Sequence, residues 1–385
     1  MTVTVPNQTS TDRRLVATMV VATVACVYPG FLVGAVSVQV SDDFGVTAGR
    51  YGWAMSSYFL AATATSVLGG RLVQRIGPRR QLSGCLMLTI VTQSLIATTA
   101  QSFPAMVGLL AVCGVVNALN QTAVNLALTT ARLPRLGLAI ALKQSGMPSA
   151  AMVSGATVPL LALTLGWRST FVLGVVLASV ALVLVQFFVG RGSVETLRSA
   201  RPSSSRRALG WSLVGGSFLA FAAGGLTSWT VASGVEAGLS EGVAGWMLSL
   251  GAAFGIGWRL FWGVRTDTMG AQPYAMAAGL AALGSIGTLG LAFGGTGIHV
   301  ASTFLAFGAG WAWPVFTNFG IMRANGAAAG SASGVTQMGI YLGVFAGPLT
   351  TGWMIDRYGF GAMWLLVGTC MLIGAALTFW IREEF

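Results

Sequence analysis

The sequence predicts an all-α integral membrane protein with twelve transmembrane helices in two six-helix halves, and three observations carry that expectation. With 55% hydrophobic residues, 8% charged residues and a mean hydropathy of +0.77 over 385 residues, the chain has too little polar surface to cover a soluble globule. Twelve apolar runs are each long enough to cross about 30 Å of hydrocarbon at about 1.5 Å per residue. The two halves also repeat each other at a constant offset of 193 residues.

Taken in order, the first run covers 15–37, behind Arg13 and Arg14. It could mimic a signal peptide, but it has the length of a span and eleven more follow, so a retained first helix is expected. The next five runs are 48–70, 80–99, 104–129, 137–163 and 168–189. A break at 190–209 holds Arg191, Arg198, Arg201, Arg206 and Arg207 around a Pro-Ser-Ser-Ser core, the composition of a flexible charged linker. The remaining runs are 210–233, 242–264, 272–293, 298–321, 330–354 and 361–381. The expected organisation is therefore an N-terminal half at 1–189, a basic linker at 190–209 and a C-terminal half at 210–385.

Charge gives the orientation. On one side of this layout lie sixteen arginines, including Arg13, Arg14, Arg71, Arg75, Arg79, Arg80 and the whole linker cluster; on the other lie Arg50, Arg168 and Arg357. The positive-inside rule puts both termini and the linker in the cytoplasm, for a multi-pass protein of a bacterial cytoplasmic membrane. The net charge of +11 thus orients the protein in a lipid bilayer, and nucleic acid is not an expected partner. Cys26, Cys85, Cys113 and Cys370 fall inside apolar runs without metal or redox spacing, so they read as small packing residues. No run assembles a nucleophile, base and acid, and no His, Cys or carboxylate cluster has ligand spacing, so neither an enzyme nor a cofactor or metal site is expected.

At the offset of 193, Gly52-Trp53 maps onto Gly245-Trp246, Ser56 onto Ser249, Gly70 onto Gly263, Gln74 onto Asp267, Gly77 onto Gly270 and Asn125 onto Asn318. Gly137, Gln144 and Gly146 map onto Gly330, Gln337 and Gly339, and Gly166 onto Gly359. Halves with the same helix order and an even number of spans are parallel repeats about an axis along the membrane normal. Such repeats suit alternating access; a channel or membrane sensor has no need of them.

Between the second and third runs stands Gly69-Gly70-Arg71-Leu72-Val73-Gln74-Arg75-Ile76-Gly77-Pro78-Arg79-Arg80. Each arginine would cost about 2.5–3.5 kcal/mol inside hydrocarbon, so this is a surface turn. Its spacing resembles the signature loop of the major facilitator superfamily, with Gln74 where that family usually has Asp. The resemblance implies a conformational switch built from Gly70, Gln74, Arg75, Gly77, Arg79 and Arg80, and from the repeat-related Gly263, Asp267 and Gly270. It further implies that Asp267 holds the positive N-terminus of the fifth helix while Gln74 offers only a hydrogen bond to the eleventh, giving one charged latch and one weaker latch. In the family fold, helices five and eleven meet helices eight and two across the interface between halves. The small-residue stripes Gly146, Ala150, Ser154 and Gly339, Gly343, Gly347 then read as close packing or as sliding surfaces.

Two cations lie at hydrocarbon depth, Lys143 in the fifth run and Arg259 in the eighth. At about 100° per residue, Lys143 shares a face with Gly146, Ala150 and Ser154, and Arg259 with Gly251 and Gly255. All ten acids, Asp12, Asp42, Asp43, Glu195, Glu236, Glu241, Asp267, Asp356, Glu383 and Glu384, fall in loops, tails or span ends. A positive pair without acids at its depth is a place for an anion; the plainer alternative is that both snorkel to the surface or pair with Asp267. The run Gly257-Trp258-Arg259-Leu260-Phe261-Trp262-Gly263 resembles the eighth helix of oxalate/formate antiporters and monocarboxylate carriers, which implies that Arg259 contacts a substrate carboxylate. The run departs at Gly255, where the carriers place an acid, and the eleventh helix has Thr336 and Gln337 but no lysine, a gap Lys143 would fill.

The fourth run presents Asn117, Asn120, Gln121 and Asn125 over an arc of about 140°, too polar a face for lipid. In the family fold, helices one, four, seven and ten surround the central path, which makes Tyr28, Trp229, Trp311, Trp313 and Asn318 candidates to line it. For the aromatics, packing is the plainer role, and for His299 a surface position is plainer than proton carriage. The expectation is a monomeric secondary transporter that moves a small organic anion by alternating access, driven by a coupling proton or exchanged for a counter-substrate. The alternative is a proton-coupled exporter of drugs or lipophilic compounds, against which stands the lack of an intramembrane carboxylate.

Overall fold

The structure is a computed structural model, and it describes residues 8–131, 142–190, 204–269, 272–325 and 329–385. Twelve long helical runs appear among them. The N-terminal six are α1 (Gln8–Ala35, continued by the short helix Ser37–Phe44), α2 (Ala48–Ile76), α3 (Pro78–Thr98), α4 (Phe103–Thr130), α5 and α6 (Arg168–Phe188). Helix α5 is composite: Gly146–Thr157, a π-helical turn at Val158–Ala162, then Leu163–Leu165. The C-terminal six are α7 (Arg206–Glu236), α8 (Glu241–Met269), α9 (Pro273–Gly290), α10, α11 and α12. Helix α10 is also broken, running Thr296–Leu305, a π turn at Ala306–Gly310, and Trp313–Asn325. Helices α11 and α12 lie within Ala329–Trp380 and are two helices divided by a kink at Gly359, whose φ of 79° is open to glycine. Over the described residues the spans read from hydropathy coincide with these helices; the start of the fifth, 137–141, lies outside the described residues.

Local chemistry sets their ends. Thr47, Ser102 and Ser205 cap α2, α4 and α7 by accepting from the N–H groups of Arg50, Ala105 and Ala208, and proline stands in the first turn of α3, α4 and α9. At the α2–α3 turn Gly77 takes φ 82°, so the signature loop needs glycine there.

The buried core divides along the molecule. One cluster joins both halves, from Tyr28, Phe31 and Leu32 of α1 through Trp229 of α7 to Trp311 of α10 and Trp364 of α12. Nearer the termini, a second cluster contains N-terminal residues alone, among them Met19, Leu86 and Val185, and a third only C-terminal ones, Leu209, Tyr274, Ile321, Ala332 and Ile381. Among the described residues the halves thus share a core toward the end opposite the termini, the far end, and keep separate cores toward the terminal end.

The far-end seams are close. A Cβ on Gly52 of α2 would stand 2.6 Å from the Pro348 carbonyl of α11, one on Gly155 of α5 2.6 Å from the Gly245 carbonyl of α8, and one on Gly34 of α1 2.5 Å from the Thr227 carbonyl of α7. Ser56 Oγ donates to the Phe345 carbonyl at 2.8 Å, Gly49 N–H to Asp356 Oδ2 at 2.9 Å, and Gln39 Nε2 to Glu241 Oε2. These contacts cross between halves and shut the far end.

The predicted glycine stripes do something else. Added Cβ atoms on Gly339, Gly343 and Gly347 would meet the carbonyls of Leu213, Ser217 and Phe221 on α7, and one on Gly146 would meet Thr23 on α1. They pack helices within each half, α11 on α7 and α5 on α1. The expected meetings of α5 with α8 and of α11 with α2 do occur, but through Gly155 and through Pro348 and Gly352. A stripe shows that a neighbour comes close; it does not say which neighbour.

Candidate functional site

Arg259 is 6% exposed and lies on α8 beyond Gly251 and Gly255. Those two glycines let α10 approach: Cβ atoms on them would meet the ring of Phe307 at 3.3 Å and its carbonyl at 2.8 Å. Since 251, 255 and 259 are one turn apart, the same helix face carries Arg259 to the next turn of α10. There its Nη2 donates to the Trp311 carbonyl and its guanidinium lies 5.1 Å from the Trp311 ring centroid, a cation–π contact. Its Nε is buried with no hydrogen-bond partner. Among the described residues, the ion pairs are Arg168–Asp43 and Arg382–Glu383, so Arg259 is turned to a carbonyl and an aromatic face and neither snorkels nor pairs with an acid.

Lys143 is 7% exposed near the start of α5, and its Nζ reaches Gln144 Oε1 at 3.5 Å. Helices α5 and α8 are antiparallel, with Gly155 and Val158 set against Gly245 and Ser249. Continued toward the termini, that register brings residue 143 level with residue 259. The two buried cations therefore share one depth on the two sides of a single seam.

Trp311 is the centre of an aromatic group. Its ring meets Phe307 at 5.6 Å and 79°, and Phe31 of α1, from the other half, at 5.6 Å and 61°. Both are edge-on geometries favoured by the ring quadrupole. Phe31 and Phe307 escape a reading of the sequence because a phenylalanine in an apolar run carries no sign of what it faces. The Gly251, Gly255, Arg259 spacing was the available signal that α8 and α10 touch here.

Other predicted residues lie apart from this group. The Tyr28 hydroxyl donates to the Thr170 carbonyl of α6 at 2.9 Å, within the N-terminal half. Trp229 likewise donates to Thr351 Oγ1 within the C-terminal half. On α4, Gln121 Nε2 donates to Asn117 Oδ1 at 3.3 Å and Asn120 Nδ2 to the Ala22 carbonyl of α1 at 3.4 Å, while Asn120 Oδ1 and Gln121 Oε1 are buried without a hydrogen-bond partner and Asn125 is exposed. Asn318 and Trp313 line a cavity of about 10 Å³, the room of about one water, with Ser212, Tyr274 and Thr336 of their own half. His299 is buried and not a surface residue, and its Nε2 has no hydrogen-bond partner.

Of the signature residues, Gly70 is half-buried, and Gln74, Arg75 and Arg80 are exposed near the α2–α3 turn. Arg79 donates to the Gln186 carbonyl of α6 at 2.7 Å and to its side-chain oxygen at 3.0 Å. Gly263 and Asp267 fall on the last turns of α8, and Gly270 lies outside the described residues.

Comparison with known proteins agrees with the all-α membrane fold. The sequence matches the Major Facilitator Superfamily over residues 18–348. The chain belongs to this superfamily. It is therefore a multi-pass membrane transporter that takes a small-molecule substrate, and not an enzyme. It is similar to an uncharacterized transporter of Bacillus subtilis (strain 168), YycB, at 26% identity over 370 residues, covering 89% of this chain and 87% of that one. Its fold is similar to that in a crystal structure of the nucleoside transporter NupG, with a TM-score of 0.75, covering 97% of this chain and 100% of that one at 12% identity.

Proposed function

We propose that this transporter works by alternating access and carries a small organic anion, with a carboxylate as first choice, on Arg259 with Lys143 in support. The observation that carries the reading is the guanidinium of Arg259: 6% exposed, with no acid beside it, resting on one neutral carbonyl and leaving Nε unpaired. A buried charge needs a counter-charge, and a planar fork of five donors suits the two oxygens of a carboxylate. Lys143, level with it across the α5–α8 seam, adds positive potential without competing for the same oxygens. The anion reaches this depth from the terminal end while the far end is shut, and the halves at 1–189 and 210–385 rock about it, joined by the linker at 190–209. The positive-inside charge distribution favours the termini in the cytoplasm, and the Bacillus relative favours a bacterial cytoplasmic membrane. The working unit is a monomer, coupled to a proton or to an exchanged counter-substrate.

The test is uptake by proteoliposomes of formate, acetate, oxalate and benzoate, with and without imposed pH and voltage gradients. Arg259→Lys keeps the charge and loses the bidentate geometry, so it lowers uptake at least tenfold, and Arg259→Ala abolishes it. Unchanged uptake of every accepted anion by both variants, with the protein still in the membrane, would refute the reading.

A further inference from the structure

The break in α10 gives Arg259 its one hydrogen-bond partner. After the π turn at Ala306–Gly310, Trp311 leaves helical geometry with φ −105° and ψ 8°, and the helix resumes at Trp313. Pro314 has no N–H for the Gly310 carbonyl, and Val315 N–H turns to the Ala312 carbonyl at 3.3 Å in place of that of Trp311. The Trp311 carbonyl is thereby free of the helix ladder, and Arg259 takes it. The same residue touches the other half, because its ring meets Phe31 of α1 edge-on at 5.6 Å.

We propose that Trp311 is the positioning residue that couples anion binding to the contact between halves: its carbonyl holds Arg259 when no anion is bound, and its ring carries the release of that hold to Phe31. The proposal rests on the anion-site reading given above. A carboxylate accepts charge-assisted hydrogen bonds about twice as strong as those of a neutral carbonyl, so an arriving anion outcompetes Trp311 for the guanidinium. Nε, buried and unpaired, supplies the second donor of a bidentate pair. Once Arg259 turns to the anion, Trp311 loses both its hydrogen-bond donor and the cation on its ring. Trp311 lies at the break between the π turn and the resumed helix, so its ring is the part that moves, and Phe31 is what it moves against. A ligand shifts a conformational equilibrium only through a difference in contacts between the two states, and this exchange of partners is such a difference.

The test uses the full-length protein in nanodiscs, with Cys26, Cys85, Cys113 and Cys370 replaced by alanine and Ser56→Cys as the reporter. Ser56 is fully buried in the α2–α11 seam, so its alkylation reports opening of the far end. Formate, oxalate and benzoate serve as probes, with binding followed by thermal shift and coupling by the change in alkylation rate. In the otherwise unaltered protein a bound probe changes the rate several-fold. Trp311→Ala and Phe31→Ala each shift the rate without probe several-fold and reduce the probe's effect below twofold, while the probe still binds. Trp311→Phe, which keeps a ring against Phe31, restores most of the response, and it serves with Phe31→Ala if Trp311→Ala does not fold. Pro314→Ala returns an N–H for the Gly310 carbonyl, which lets the helix close and Val315 N–H take the Trp311 carbonyl, so Arg259 is released and probe binding tightens several-fold. If Arg259→Ala abolishes binding but Trp311→Ala and Phe31→Ala keep wild-type basal rates and responses, the coupling role is wrong and the anion site stands. If Arg259→Ala binds every probe as the unaltered protein does, the anion site falls and this proposal with it.

Discussion

At residue 143 charge is what counts, and at residue 259 geometry. Lys143 sits level with Arg259 without touching a substrate-shaped fork of donors, so Lys143→Arg should retain at least half of the uptake of the best anion, whereas Lys143→Ala should lower it about tenfold, a transition-state or binding loss of about 1.4 kcal/mol. Proteoliposome uptake normalised to inserted protein checks this, and equal loss in both variants would mean that Lys143 serves packing alone. A second residue-scale expectation concerns Asp43 in the short far-end helix Ser37–Phe44, which accepts from the Trp167 indole at 3.0 Å and from Arg168 at 2.9 Å. These two donors, the indole first, hold its carboxyl below the usual range. A depressed folded value means stability that is present above the unfolded carboxylate value of about 3.9 and lost as pH falls through the lower folded value. The pair is partly exposed, with side chains 38% and 44% accessible, so the contribution is at most about 1 kcal/mol. Thermal unfolding in detergent should show Asp43→Asn less stable by a constant margin from pH 5 to 8, with the margin closing below about pH 4. The sequence exposes charges well and aromatics poorly: Arg259 and Lys143 stand out because hydrocarbon makes any cation conspicuous, whereas Phe31 and Trp311 look like ordinary span residues until the fold brings them together.

Among the helices, twelve spans and a two-fold repeat are legible because hydropathy over about 20 residues and a fixed offset are local properties of the chain. Pairing between helices is not local. The stripes at Gly146 and at Gly339, Gly343 and Gly347 announce close approach, yet the partners proved to be α1 and α7 within each half, and the seams between halves use Gly52, Gly155 and Gly245. The π turns in α5 and α10 were likewise invisible, because no residue type marks a single added bond in a helix. The two kinds of glycine should therefore respond differently to added bulk. Gly343→Val would place its Cβ 2.1 Å from the Ser217 carbonyl inside one half, so it should cost about 2–4 kcal/mol and lower the yield of folded protein. Gly155→Val would push against the Gly245 carbonyl across the seam, and the halves can part to relieve it. That variant should keep its yield and thermal stability near normal while raising far-end alkylation of Ser56→Cys. Size-exclusion profiles separate the two outcomes, and equal loss of folded protein in both would remove the distinction between inner and seam glycines.

Across the whole molecule, the sided charge distribution predicts that cysteines placed at Ser204 and at Asp42 label from opposite faces of intact cells, and labelling from one face would overturn the topology. The larger question is what balances the two open states. In the structure Asp356 at the end of α11 accepts from Gly49 N–H in the first turn of α2, where the helix dipole is positive, and this contact exists only while the far end is shut. The repeat-related position on α5 is Leu163, so the α5–α8 seam has no acid there. At the terminal end the arrangement is diagonal: Asp267 on α8 is the acid of its repeat pair, and Gln74 on α2 is neutral. Glu241 on α8 also meets Gln39 across the far end, but at these repeat-related positions each seam carries one acid, at opposite ends, and we propose that each acid stabilises the state in which its own end is closed. Asp356→Asn removes a charge–dipole contact of about 1 kcal/mol and should raise Ser56→Cys alkylation about fivefold, toward the far-open state. Asp267→Asn should lower it, and by more than Gln74→Ala, because the glutamine has no charge to lose. The double variant Asp356→Asn with Asp267→Asn should return near the unaltered rate, since the two acids are too far apart to couple and their effects add with opposite sign. Shifts in the same direction would show that the acids act on folding and not on the balance between states. Asp267→Asn and Gln74→Ala giving equal, small shifts would leave the terminal end with no charged latch, and the far-end contacts of Asp356 with Gly49 and of Glu241 with Gln39 would then set the balance.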